Sequence, residues 1–178
     1  MCRLLLLALL VVPLGAQKYK VGRVATSNEI KTTDLFIAPD GKGLPAGKGT
    51  AFDGKETYSR RCQKCHGSAG QGAEEGAPLV GGKDSLRTSK PLKTVGSYWP
   101  YATTIYDYIN RAMPFDNPGL LTPDQVYSVT ALILHWNGII GENDVIDAAT
   151  LPKVKMPNRD GFVPDKRPDT GAKAKKGK

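Results

Sequence analysis

The stretch Cys62-Gln63-Lys64-Cys65-His66 decides how this 178-residue chain reads. On a helix, residues three and four apart share a face, so Cys62, Cys65 and His66 can meet one flat partner. Two thiols at that spacing with an adjoining imidazole form the attachment pattern for covalent haem of the c type. The thiols become thioethers to the two vinyl groups, and the imidazole on the same turn is aimed at the iron. A redox dithiol is the competing reading of the Cys-x-x-Cys portion. The sequence holds no second Cys-x-x-Cys-His, so one haem per chain follows.

The chain begins Met1-Cys2-Arg3, continues through an apolar run from Leu4 to Leu10, and reaches the small residues Gly15 and Ala16. That order of basic start, apolar stretch and small residues predicts a secretion signal over residues 1–16, cut after about Ala16. A retained N-terminal anchor is the alternative, although the run is short for a span and no later segment approaches the ~20 apolar residues that crossing a membrane needs. The expected location is the periplasm, because bacterial attachment of c-type haem is completed outside the cytoplasm. Cys2 would leave with the signal and two thioethers would consume the other thiols, so the mature chain has no disulfide.

The formal net charge of +8 does not make a basic folded domain. Residues 51–140 hold nine Lys or Arg against eight Asp or Glu, while the flanks and the signal carry the rest of the excess. Nucleic-acid binding needs a basic face on the folded body and is therefore excluded as the expected function. The mature length suits one domain of modest core, to which a covalent porphyrin adds an apolar body.

Outward from the motif, Asp53 to Arg61 predict a first helix with Phe52, Tyr58 and the cysteines on one side. Residues 67–82 contain Gly67, Gly70, Gly72, Gly76, Gly81 and Gly82, too many for a helix, so a loop is expected against the histidine side. Pro78 lies in it, and its carbonyl is the candidate acceptor for the second ring nitrogen of His66; an ordinary loop proline is the other reading. Thr103 or Thr104 is expected to cap a helix striped by Ile105, Tyr108, Ile109 and Ala112, ending at Met113 before Pro114. Thr122-Pro123-Asp124-Gln125 reads as a capping box opening a last helix with Val126, Val129, Ile133 and Trp136 on one face and Gly138 as its stop. Residues 17–50 and 141–178 are turn-rich arms, the second ending in Lys173, Lys175, Lys176 and Lys178, a solvated tail or a docking arm. Arms without their own core lie on something, either a partner or the cytochrome body itself.

Met113 and Met156 are the thioethers of the mature chain, and His135 is its other imidazole. A sulfur ligand raises haem potential and suits electron transfer. Met113 is favoured because it stands between two helices in a loop able to cover the second face; Met156 is the alternative, and His135 reads as a helix residue. Trp99 and Tyr101, with Tyr98, could hold propionates through N–H and O–H groups, and Arg111 could offset a propionate charge. Plain core and surface roles stay open for each.

With Cys-Gln-Lys-Cys-His, the loop Ala77-Pro78-Leu79 and a distal Met113-Pro114 before a capped helix, residues 51–140 resemble the class I cytochrome c domain. The flanks 39–45 (PDGKGLP), 99–104 (WPYATT), 111–115 (RAMPF) and 151–162 (LPKVKMPNRDGF) are similar to the monohaem cytochrome subunit of bacterial sulfite dehydrogenases and to the haem portion of the sulfur dehydrogenase of thiosulfate oxidation. The resemblance implies an all-α class I fold around one covalent haem c with His/Met ligation, flanked by extended arms. It also implies a catalytic partner subunit carrying a molybdopterin cofactor, where sulfite is oxidised, and a downstream acceptor, a cytochrome c or an oxidase. The chain itself would be no enzyme. A freely diffusing carrier serving a terminal oxidase is the nearest alternative; a haem enzyme or gas sensor would require an open sixth position.

Overall fold

The computed structural model describes residues 21–167. The expected signal at 1–16 and the lysine-rich tail lie outside those residues. The chain divides into two units, Met1–Asp34 and Leu35–Lys178.

Within the first unit, residues expected to be extended form one short helix, α1, over Ser27–Thr33. Its start is a full capping box: the Thr26 side chain accepts from the Glu29 N–H, and the Glu29 carboxylate accepts from the Thr26 N–H. Arg23 grips the same carboxylate with both terminal nitrogens, which holds the Glu29 carboxyl down at about 2.

The second unit is mostly helical. A strand pair accompanies α2 (Ala51–Arg61), α3 (Gln63–His66), α4 (Ala102–Ala112) and α5 (Pro123–Trp136). The predicted first helix starts at Thr50, whose capping box closes on Asp53, but it breaks at Cys62, and the motif occupies its own single turn, α3. Phe52 departs from the expected buried side: it is 63% exposed, with the Lys55 ammonium 5.2 Å from its ring centroid.

α5 forms as its end signals predict. Thr122 accepts from the Gln125 N–H, Pro123 takes the first helical position, and the stop is a Schellman pair in which Gly138 N–H bonds the His135 carbonyl and Ile139 N–H bonds the Leu134 carbonyl. Val126 to Leu134 are buried without interruption, so this helix is enclosed rather than striped. α2 crosses it so closely that a Cβ at Gly54 would stand 2.3 Å from the Ser128 carbonyl oxygen. Only glycine permits that approach.

α4 begins two residues before the expected threonine caps. Tyr101 holds the N-cap position without a side-chain bond, and the Thr103 hydroxyl instead reaches the Pro39 carbonyl at 3.4 Å. The helix ends at Met113 in extended backbone, as the following proline requires.

Much of both expected arms lies on this body. Lys48–Gly49 (β1) pairs antiparallel with Ile146–Asp147 (β2), joining the segments that enter α2 and leave α5. Ile37, Ile146, Leu151 and Met156 stand in one core cluster with the helices. Asp107 accepts the Ile37 N–H at 3.2 Å, and the Tyr127 hydroxyl donates to the Pro45 carbonyl at 2.9 Å. These segments give single side chains rather than a periodic face, which is why no pattern announces their packing. Among the described residues, no helix is long and apolar enough to cross a membrane.

Candidate haem site

α3, the loop 67–82, the run 93–99, α4 and the Met113 loop enclose a cleft of about 960 Å³. That is the upper end of the size range of small-molecule and cofactor sites, about 300–1,000 Å³. Cys62, Cys65, His66, Pro78, Trp99 and Met113 all line it. Its wall is mainly apolar, with Leu79, Val95, Ile105 and Ile109 joined by Val129 and Ile133 of α5.

The attachment turn is organised by the backbone. The Cys65 and His66 N–H groups both bond the Cys62 carbonyl, at 3.2 and 2.9 Å, which brings both thiols and the imidazole to the same wall. The thiols are free. Burial pushes the Cys62 thiol up to about 11, with Cys65 adding to the effect, and Cys65 is raised by burial and by its bond to Glu75. Both are therefore neutral S–H groups rather than thiolates at pH 7.

His66 Nδ1 bonds a loop carbonyl at 2.9 Å, leaving Nε2 as the other ring nitrogen. The acceptor is Ala77, one residue before the expected Pro78. The loop register explains the difference. Gly72 N–H bonds the His66 carbonyl at 2.8 Å, Leu79 N–H bonds the Gly70 carbonyl at 2.8 Å, and the intervening backbone turns the Ala77 carbonyl to the ring. Pro78 acts on that carbonyl by restricting Ala77 to extended backbone, while itself lining the cleft.

Met113 is half-buried at the end of α4. Met156 is 3% exposed in the core and is absent from the cleft lining. His135 rests with Nδ1 3.3 Å from the Ile140 carbonyl. Trp99 reaches the cleft, its ring edge-on to Tyr108 at 5.9 Å. Tyr101 and Arg111 are not among the described lining residues. The Tyr101 ring is covered by the Arg159 guanidinium, 4.3 Å from its centroid, and Arg111 is held one turn back by Asp107, with Nε to Oδ1 at 3.0 Å and Nη2 on Oδ2. Helical spacing of four makes that pair the shorter reach for the guanidinium.

The cleft has contributors beyond the expected site residues. Tyr58 lines the cleft, donates to the Gly67 carbonyl at 2.9 Å and stacks edge-on to Trp136 of α5 at 4.7 Å. Its position four residues before Cys62 is the signal that places it. Glu75, Lys93 and Val95 come from loops without periodicity and carry no such signal.

The residues present fit a covalent haem: paired neutral thiols on one turn, an imidazole oriented by a carbonyl, a thioether side chain, and an apolar wall for the porphyrin faces. When bound, the group supplies one-electron redox chemistry at iron. The protein attaches it, orients its imidazole partner and surrounds it with apolar side chains.

Comparison with known proteins agrees with this geometry. The family model described as "Cytochrome C oxidase, cbb3-type, subunit III" matches residues 49–133. The solved structure titled "Crystal Structure of the Sulfane Dehydrogenase SoxCD from Paracoccus pantotrophus" is 39% identical, with a TM-score of 0.78, over 87% of this chain and 76% of that one. No curated protein matches the chain. Helical fold, attachment turn and kinship together assign the chain to the c-type cytochromes, as a class I electron-transfer domain for haem c similar to a chain of that sulfane dehydrogenase.

Proposed function

We propose that this cytochrome holds a single haem on Cys62 and Cys65, ligated axially by His66 and Met113, and works as the electron-accepting subunit of a molybdenum-cofactor dehydrogenase that oxidises sulfite. The observation that carries the reading is that both thiols, the oriented imidazole and the Met113 side chain converge on one cleft. Occupation of both axial positions leaves no place for substrate on iron, so oxidation belongs to the partner's site and this chain takes the two electrons singly. The catalytic partner is supported by the similarity to a sulfane dehydrogenase over most of both chains. The same similarity favours a sulfane-sulfur compound as a second candidate substrate.

In this reading the chain is exported, loses residues 1–16 and passes electrons in the periplasm to a cytochrome c or an oxidase. N-terminal sequencing of the mature chain tests the export step, with Gln17 as the expected first residue. Co-expression with a molybdopterin-containing sulfite dehydrogenase subunit tests the partnership. The two should co-purify, and sulfite should bleach the oxidised haem spectrum only when both are present. Reduction by a sulfane compound but not by sulfite would move the substrate to the second candidate; a chain purifying alone and reduced by neither would leave the freely diffusing carrier.

A further inference from the structure

Glu75 stands where it can act on the haem rather than on the fold. Its Oε2 lies 3.6 Å from Cys65 Sγ and 3.7 Å from the Lys64 ammonium, and the residue lines the cleft. The backbone fixes that place. Ala73 and Gly76 exchange N–H···O bonds of 3.1 and 3.3 Å, so Glu74 and Glu75 form the tip of a closed turn. Gly76 packs against the attachment turn so tightly that a Cβ there would sit 2.4 Å from the Cys65 carbonyl oxygen. Thioether formation removes the Cys65 S–H, but it removes neither the turn nor the Lys64 pairing. The mature protein thus keeps a carboxylate beside the sulfur that joins the porphyrin.

We propose that Glu75 lowers the reduction potential of the haem by holding a negative charge against the Cys65 attachment sulfur. The inference rests on the covalent-haem reading of Cys65. Oxidised haem iron carries one more positive charge than reduced iron, and a nearby fixed anion stabilises that extra charge. Lys64 opposes the effect only weakly, because its side chain is 87% exposed and its charge is strongly hydrated. Glu75 is 61% exposed, so solvent screens its field as well and the effect is moderate. A charge at such a site shifts the oxidised-to-reduced equilibrium by about threefold at low ionic strength, and less at high salt.

Spectroelectrochemical titration of wild type, Glu75→Gln and Glu75→Lys in low salt tests this, with haem content after denaturation measured on the same samples. The neutral variant should have a higher midpoint potential than wild type and the lysine variant a higher one still, with haem content equal and the differences narrowing as salt is added. Equal midpoints in all three samples overturn the proposal, as does loss of haem from both variants, which would assign Glu75 to attachment instead. A wild-type protein without covalent pigment is a separate result and removes the haem reading itself.

Discussion

The Asn158 side-chain amide donates to the Tyr98 carbonyl at 2.8 Å, tying the C-terminal segment to the run that delivers Trp99 to the cleft. Two neighbouring contacts reinforce it. The Phe162 ring meets Tyr98 edge-on at 5.1 Å, and Arg159 covers Tyr101. Replacing Asn158 by Ala should cost about 1 kcal/mol, as for a typical internal hydrogen bond. Thermal unfolding and tryptophan fluorescence of the variant check it, and an unchanged Trp99 environment would separate the segment from the cleft.

The two methionines should respond to substitution in opposite ways. Met113→Ala should abolish the sulfur-to-iron charge-transfer band of the oxidised protein and open the reduced iron to carbon monoxide. Met156→Ala should keep the band and lose about 2–5 kcal/mol of stability, because a core side chain has been truncated. Absorption spectra with a denaturant titration distinguish the two, and survival of the band in the first variant would remove Met113 as ligand.

Arg111 serves the fold through Asp107, which also anchors the Ile37 N–H. Arg111→Ala leaves a nearly buried carboxylate short of a partner, and the expected loss is about 1–3 kcal/mol. The midpoint potential should stay where it was. A potential that moves while stability holds would return the guanidinium to the propionates.

Gly54→Ala should also destabilise, by about 1–3 kcal/mol, since its methyl must displace backbone of α5 rather than a movable side chain. Urea unfolding of the haem-loaded protein measures the loss, and a neutral result would show that the helices can part without penalty.

Burial raises the phenols of Tyr58 and Tyr127 to about 12 and raises Tyr106 as well. A folded-state value above the unfolded value of about 10 favours the folded chain while the groups are neutral. That contribution is complete below pH 10 and is lost as pH rises through about 12. Far-ultraviolet circular dichroism should therefore fall together with the appearance of tyrosinate absorbance in that window. Full ionisation of all tyrosines with helicity intact would contradict the burial.

What the sequence reveals follows from how local the cause is. α5 is legible from its ends, because Thr122, Pro123, Gln125 and Gly138 act on backbone groups within one turn of themselves. The attachment turn is legible for the same reason. α1 carries an equally local signal in Thr26 and Glu29, although a helix this short has no apolar periodicity to accompany it. The choice of Ala77 over Pro78 depends on loop register set by Gly70, Gly72 and Gly76, and no spacing rule reaches that far. Arg111 faces two carboxylate destinations in principle, and the nearer one is resolved only once Asp107 is seen holding Ile37. Met156 belongs to the core cluster with Leu151 and Ile146 rather than to the cleft, a long-range arrangement with no periodic trace.

The Lys48–Asp147 and Gly49–Ile146 pairing makes the haem-bearing body a closed ring of chain, fastened at the seam where its two ends meet. A protease nick between Gly141 and Val145 would consequently yield fragments that stay together as one coloured particle. For the same reason, new chain spliced in at that seam would hang from a doubled root, steady enough to present a neighbouring protein at constant distance from the iron.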